Sequence, residues 1–152
     1  MEEKFLNLLK SHSIIGIDTM VFIYHFEKSP EYSPLTLSLF DHIEKGFSKG
    51  VTSILTKLEI MVKPKLEGNQ NLARTYDFLL RTFPNLVLRD LDDHVVDSAS
   101  TLRVKYKIRT PDAIQVASAL VGGASLFITN DSDLKKVSED EIVIMREFLA
   151  RQ

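Results

Sequence analysis

The chain has 152 residues, 44% of them hydrophobic and 26% charged, with 19 basic and 21 acidic residues and a formal net charge of -2. That length suits one domain with a real core, and the near-neutral balance argues against a bulk binder of nucleic acid while leaving room for a local basic groove. The absence of cysteine excludes a disulfide framework, a thiolate metal site and a thiol nucleophile.

Residues 2–10 read as a short helix with Phe5, Leu6, Leu8 and Leu9 at apolar positions. This amphipathic start, with two early acids, does not read as a signal peptide, and no stretch approaches the length of a membrane-spanning helix. A soluble, cytoplasmic protein is the expectation. The apolar run Ile14-Ile15-Gly16-Ile17 suits a central strand. Asp18 follows at once, and then Thr19 and MVFIYHFE as a helix or extended turn. Residues 27–34, EKSPEYSP, form a loop from which Ser33-Pro34 opens the next helix. That helix carries Leu35, Leu37, Leu39, Phe40 and Ile43 and ends near Gly46 to Gly50.

Val51 to Leu55 reads as a second strand. Thr56-Lys57-Leu58-Glu59 matches the capping box, in which Glu59 reaches back to the Thr56 backbone, and Pro64 ends or kinks the helix. Asn69 to Phe83 is helical, Leu86 to Leu88 a third strand, and Asp92 to Tyr106 a helix. Thr110 is placed to cap the next helix and Pro111 suits its first position. Ala113, Ile114, Val116, Ala117 and Leu120 form its apolar face, and Gly122-Gly123 stops it. Ser125 to Thr129 is a buried strand, and Asn130-Asp131-Ser132-Asp133 leads into a short helix at Leu134 to Val137. Ile142 to Ile144 is an edge strand before a short tail helix. His12, His25, His42 and His94 have no metal-ligand spacing and read as surface residues. Alternating strands and helices indicate a parallel sheet covered on both faces. With no repeat or linker, residues 1–152 form a single domain.

Asp18, Glu59, Asp112 and Asp131 each sit at the start of a helix or just past a strand. Each has its own capping explanation. Capping does not explain four acids at four such junctions in one small domain. The strands of a parallel sheet end on one edge, where ligands bind. Two carboxylates about 4 Å apart repel by roughly 4 kcal/mol at an effective dielectric of about 20, so such a cluster needs protons or a cation. Oxygen ligands without His or Cys select Mg²⁺ or Mn²⁺, ions that polarise phosphoryl oxygens and acidify water. The expectation is a metal-dependent phosphoryl-transfer or hydrolysis site. No phosphate-binding glycine loop, dinucleotide fingerprint, nucleophile elbow or HExxH supports another chemistry. The second acid of an aspartyl-phosphate phosphatase is missing after Asp18, where Thr19 and Met20 stand.

IGIDTMVFIY, TKLE, RTPDAIQVASAL and LFITNDSDL resemble the four acidic motifs of the PIN-domain family, in particular the ribonuclease toxins of VapBC toxin–antitoxin pairs. The likeness runs from Ile14 to about Ile144. It implies a three-layer α/β/α sandwich around a parallel sheet of about five strands, and RNA cleavage dependent on Mg²⁺ or Mn²⁺. The family's four acids fall on Asp18, Glu59, Asp112 and Asp131, with Asp133 as a further acid and Thr19, Thr129 and Asn130 as the polar surroundings. On this reading Asp18, Asp112 and Asp131, with Asp133, hold one or two ions, while Glu59 completes their shell or orients the attacking water. Lys57, Lys107 and Arg109 are candidate contacts to the RNA backbone, or ordinary solvated charges. Phe22, Tyr24 and Phe26 stack a base or, on the plainer reading, pack in the core or a dimer. A small antitoxin and a second copy of the chain are the implied partners. Three alternatives stay open: a non-cleaving PIN-like module that binds RNA or protein, a free-standing RNA-processing nuclease, and a phosphatase of small molecules.

Overall fold

The structure, a computed structural model, describes residues 2–149. The chain runs α1 (Glu2–Lys10), β1 (Ile14–Ile17), α2 (Thr19–Phe26), α3 (Ser33–Glu44), β2 (Lys49–Ser53), α4 (Ile54–Leu66) and α5 (Gln70–Thr82). It continues through β3 (Leu86–Arg89), α6 (Asp93–Tyr106), α7 (Thr110–Val121), β4 (Leu126–Thr129) and β5 (Glu141–Ile144). Two 3-10 helices, Ser132–Lys136 and Met145–Phe148, flank β5. The five strands form one wholly parallel sheet in the order β3-β2-β1-β4-β5.

The strand period of two divides the core into two layers. Ile15 and Ile17 of β1 and Leu126 and Ile128 of β4 face one apolar cluster, with Phe5, Leu9, Phe22, Leu35, Leu39 and Ile60 from the helices. Phe127 of β4 and Val51 of β2 face the other, against Val95, Leu102, Ala113, Val116 and Ala117 of α6 and α7. This is the expected α/β/α sandwich. Gly16 lies between Ile15 and Ile17 on the α7 side, where an added Cβ would stand 2.5 Å from the Ala119 Cβ and 2.9 Å from the Phe127 ring. The glycine and the alanine-rich face of α7 therefore let helix and sheet approach closely. α1 belongs to the core: Phe5 and Leu9 are fully buried, and Phe5 meets Phe148 edge-on at 5.5 Å.

Several local expectations are corrected. The second strand ends at Ser53, and Ile54 and Leu55 already belong to α4. Ser53 is the cap, accepting the Leu55 N–H at 3.0 Å, so Thr56 lies inside the helix and the capping box does not form. Pro64 does not end α4, which runs on to Leu66, since only its last turn follows the missing N–H. Thr110 is the first helical residue of α7, and Arg109 is its N-cap without a capping side chain. His42 is a core residue bonded to the Ser48 hydroxyl at 2.8 Å.

Candidate functional site

From β1 the chain builds outward through β2 to β3, then returns to the other side of β1 with β4 and β5. Such a reversal opens a crevice outside the carboxyl ends of the strands. A cleft of about 520 Å³ lies there, lined by Asp18, Glu59, Asp112 and Asp131 together with Thr19, Gln115, Thr129, Asn130, Arg109 and Arg146 among others. The four acids come from four elements far apart in sequence.

Asp18 follows β1 and is the N-cap of α2. One carboxylate oxygen accepts the Thr19 N–H at 2.8 Å and the other accepts the Thr129 hydroxyl at 2.7 Å. Burial pushes its pKa up to about 6, against the pull of these two hydrogen bonds, and the charges of Asp112 and Glu59 raise it further. The acids therefore interact electrostatically across the cleft. Thr129 is fully buried, and its Oγ1 also accepts the Asp131 N–H at 3.1 Å, joining the ends of β1 and β4.

Glu59 is held by a buried polar network. Its Oε1 accepts the Thr19 hydroxyl at 2.8 Å and lies 3.4 Å from Gln115 Nε2. Gln115, almost fully buried, donates to Thr19 Oγ1 at 2.9 Å and Thr56 Oγ1 at 3.0 Å. Thr56 Oγ1 lies 2.7 Å from Thr52 Oγ1, and Thr52 donates to the Ile17 carbonyl at 2.8 Å. That carbonyl can only accept, so every hydroxyl proton in the chain has an assigned direction and Glu59 is left as an acceptor.

Asp112, in the first turn of α7, is paired with Arg109 Nε at 3.1 Å; the arginine side chain is 80% exposed. Asp131 Oδ1 accepts the Asp133 N–H at 3.0 Å and so caps the following 3-10 helix. Asp133 is exposed and outside the cleft lining. Among the described residues no three Asp, Glu or His side chains stand close enough to form a ready metal shell. Each acid is turned onto a protein partner. The donor chemistry nonetheless fits a hard cation: the cleft's acids offer only oxygen, and Asp18 sits at a raised pKa as a carboxylate without a compensating positive charge does. The exposed Arg109 pair is weak enough to be exchanged.

The family model for the PIN domain matches residues 15–140. This chain belongs to the PIN-domain family. No curated protein sequence matches it significantly. Among solved structures, this PIN domain resembles a toxin–antitoxin complex from Klebsiella pneumoniae, with 21% identity, a TM-score of 0.62, and 88% of this chain and 98% of that chain covered. It also resembles VapBC2 from Rickettsia felis bound to a DNA fragment from their promoter, with 14% identity, a TM-score of 0.69, and 86% and 97% covered. At these identities the likeness establishes the fold.

Of the proposed backbone contacts, only Arg109 lines the cleft of the PIN domain. Lys57 pairs with Asp77 at 3.3 Å, and Lys107 is an exposed, left-handed C-cap of α6. Phe22 is core, Phe26 stacks on Tyr76 at 5.1 Å, and Tyr24 alone of the three reaches the cleft. Sequence reasoning missed Gln115, Thr56, Tyr32 and Arg146. Gln115 had left a signal, a lone amide within the apolar run of α7, three residues beyond Asp112. Arg146 had left none, because only the pairing of β5 with β4 brings it to the site.

Proposed function

We propose that this PIN domain is a metal-dependent endoribonuclease and the toxin half of a toxin–antitoxin pair. One observation carries the reading: four carboxylates from separate elements line one cleft at the carboxyl edge of the sheet. Asp18, Asp112 and Asp131 are the residues to hold one or two Mg²⁺ or Mn²⁺ ions, with Glu59 beside them. When bound, the ion polarises the phosphoryl oxygens and acidifies the attacking water. The protein supplies the rest. Thr19 and Gln115 hold Glu59 in place to orient that water, and Thr129 holds Asp18. Water, giving up a proton to solvent, adds to phosphorus in line with the leaving O3′; the phosphorus–O3′ bond breaks, O3′ takes a proton from solvent, and the products are a 5′-phosphate and a 3′-hydroxyl.

Pairing with an antitoxin draws on the two structural relatives, both described as toxin–antitoxin assemblies. A homodimer belongs to the same reading. Leu58, Val62 and Leu91 are 60%, 47% and 50% exposed along an apolar trough beside α4, a surface for a second copy to cover.

The deciding experiment is cleavage of a mixed RNA pool with Mg²⁺ or Mn²⁺, with EDTA, and with the Asp112→Asn variant. Activity lost with both EDTA and the substitution supports the nuclease. A folded protein that cleaves under neither metal leaves the second reading, a binding module, which the Arg109–Asp112 pair favours.

A further inference from the structure

Asn130 stands one residue past β4 on the wall of the cleft. Its Oδ1 accepts the backbone N–H of Arg146 at 3.0 Å. An N–H must face the amide oxygen, so the amide nitrogen faces the other way, where it donates to the hydroxyls of Tyr24 at 3.0 Å and Tyr32 at 2.9 Å. Both phenol oxygens are thereby acceptors. Each keeps its own proton to donate, and neither proton has an acceptor among the described residues. The two rings stack at 4.2 Å, which ties the loop 27–32 to α2 and sets the direction of both hydroxyls.

The same asparagine orients a cation. Arg146 Nη2 donates to the Asn130 carbonyl at 2.5 Å, and its Nε lies 3.4 Å from Oδ1. Nη1 is left over, and the exposed Arg146 pairs with no carboxylate among the described residues. Arg109, the other arginine of the cleft, is taken by Asp112. An anionic substrate entering a cleft of four acids therefore has one free guanidinium to meet, with two hydroxyl donors built onto the same hub. Donors alone, with no acceptor among them, select a group rich in acceptor oxygens. The O6/N7 edge of guanine also offers acceptors alone, so charge decides: of the two, only the phosphate is an anion, and it is the stronger partner for a guanidinium that no carboxylate holds.

We propose that Arg146 and the Tyr24 and Tyr32 hydroxyls, all oriented by Asn130, form a subsite for a backbone phosphate of the RNA strand adjacent to the one cleaved. The inference rests on the nucleic-acid reading above. It also gives the loop 27–32 a role, since Tyr32 brings the second hydroxyl from that loop.

The test measures binding of a fluorescent single-stranded RNA to the full chain carrying Asp112→Asn, in EDTA, over a series of salt concentrations. Arg146→Gln keeps the backbone N–H that anchors Asn130, so the hub survives. The expected result is weaker binding and a slope of log K against log salt reduced by about 0.7, the value for one phosphate contact on a single strand. Arg146→Lys restores the slope but not the whole affinity, because the fork geometry is lost. Tyr24→Phe combined with Tyr32→Phe keeps the ring stack and weakens binding severalfold at unchanged slope, since neutral donors release no counterion. Unchanged affinity and slope in Arg146→Gln, from a parent that does bind RNA, overturns the subsite and leaves the nuclease standing. No RNA binding by this parent, together with no cleavage by the folded chain with its native Asp112 under Mg²⁺ or Mn²⁺, overturns both.

Discussion

Asp18 keeps its proton at a pH where an ordinary aspartate has lost it, with a pKa raised to about 6 mainly by burial. Asp140 is raised to about 6 for the same reason, and one of its oxygens is buried without a partner. For both acids the folded pKa lies above the unfolded value of 3.8. Between about pH 4 and about pH 6 the folded state binds protons that the unfolded state has released, so both groups lower stability as pH rises through that window. In EDTA, the melting temperature of Asp18→Asn relative to the parent is therefore expected to climb from pH 4 to pH 6 and then level. A difference independent of pH would remove the buried-carboxylate account. A cation acts oppositely, favouring the ionised form, so Mg²⁺ is expected to stabilise the parent more at pH 7 than at pH 5. Gln115 makes a second prediction at this scale. Gln115→Leu removes the two N–H donors that fix Glu59, Thr19 and Thr56. Cleavage is expected to fall by about 10- to 100-fold, the usual cost of losing an outer-shell partner, while RNA binding by the metal-free protein stays unchanged. Equal rates in parent and variant would show that Glu59 needs no such support.

At the scale of elements, the close approach of α7 to β1 makes Gly16 a sensitive position of the sheet. Gly16→Ala would put a methyl group 2.5 Å from the Ala119 Cβ, a contact relieved only by moving the helix. Overpacking of this kind costs about 1–3 kcal/mol, to be read from urea denaturation. Because α7 carries both Asp112 and Gln115, cleavage is expected to fall along with stability. Much of the element pattern was readable from the chain, since four of the five strands and all the long helices follow apolar periodicity and punctuation by Gly and Pro. The errors lie where a local signal competed with tertiary context. Thr56 and Glu59 have the spacing of a capping box, but Ser53 already caps α4, and both side chains are drawn into the network with Thr19 and Gln115. Pro64 costs α4 only one hydrogen bond near its end, and the buried proline continues the helix instead of ending it.

For the whole molecule, the homodimer proposal rests on the apolar trough beside α4. Sedimentation is expected to find a dimer in the parent and a monomer after Leu58→Asp, which places a charge in the middle of an exposed apolar strip. A monomeric parent would end the homodimer proposal. The sequence by itself determined the class of this protein. Alternating apolar strands and helices leave a parallel sheet as the economical solution, and Asp18, Glu59, Asp112 and Asp131 at the junctions name the cleft before any coordinate is known. What only the tertiary structure decided is which polar groups meet across long separations. Thr129 holds Asp18 across 111 residues, Gln115 holds Thr19 across 96, and Asn130 bonds Tyr24, Tyr32 and Arg146 together. The same packing left Asp133 outside the cleft and spent Lys57 on Asp77. The difference is physical: hydrophobic periodicity is a local property of the chain, whereas a hydrogen bond needs two partners within about 3 Å, and sheet order alone brings them there.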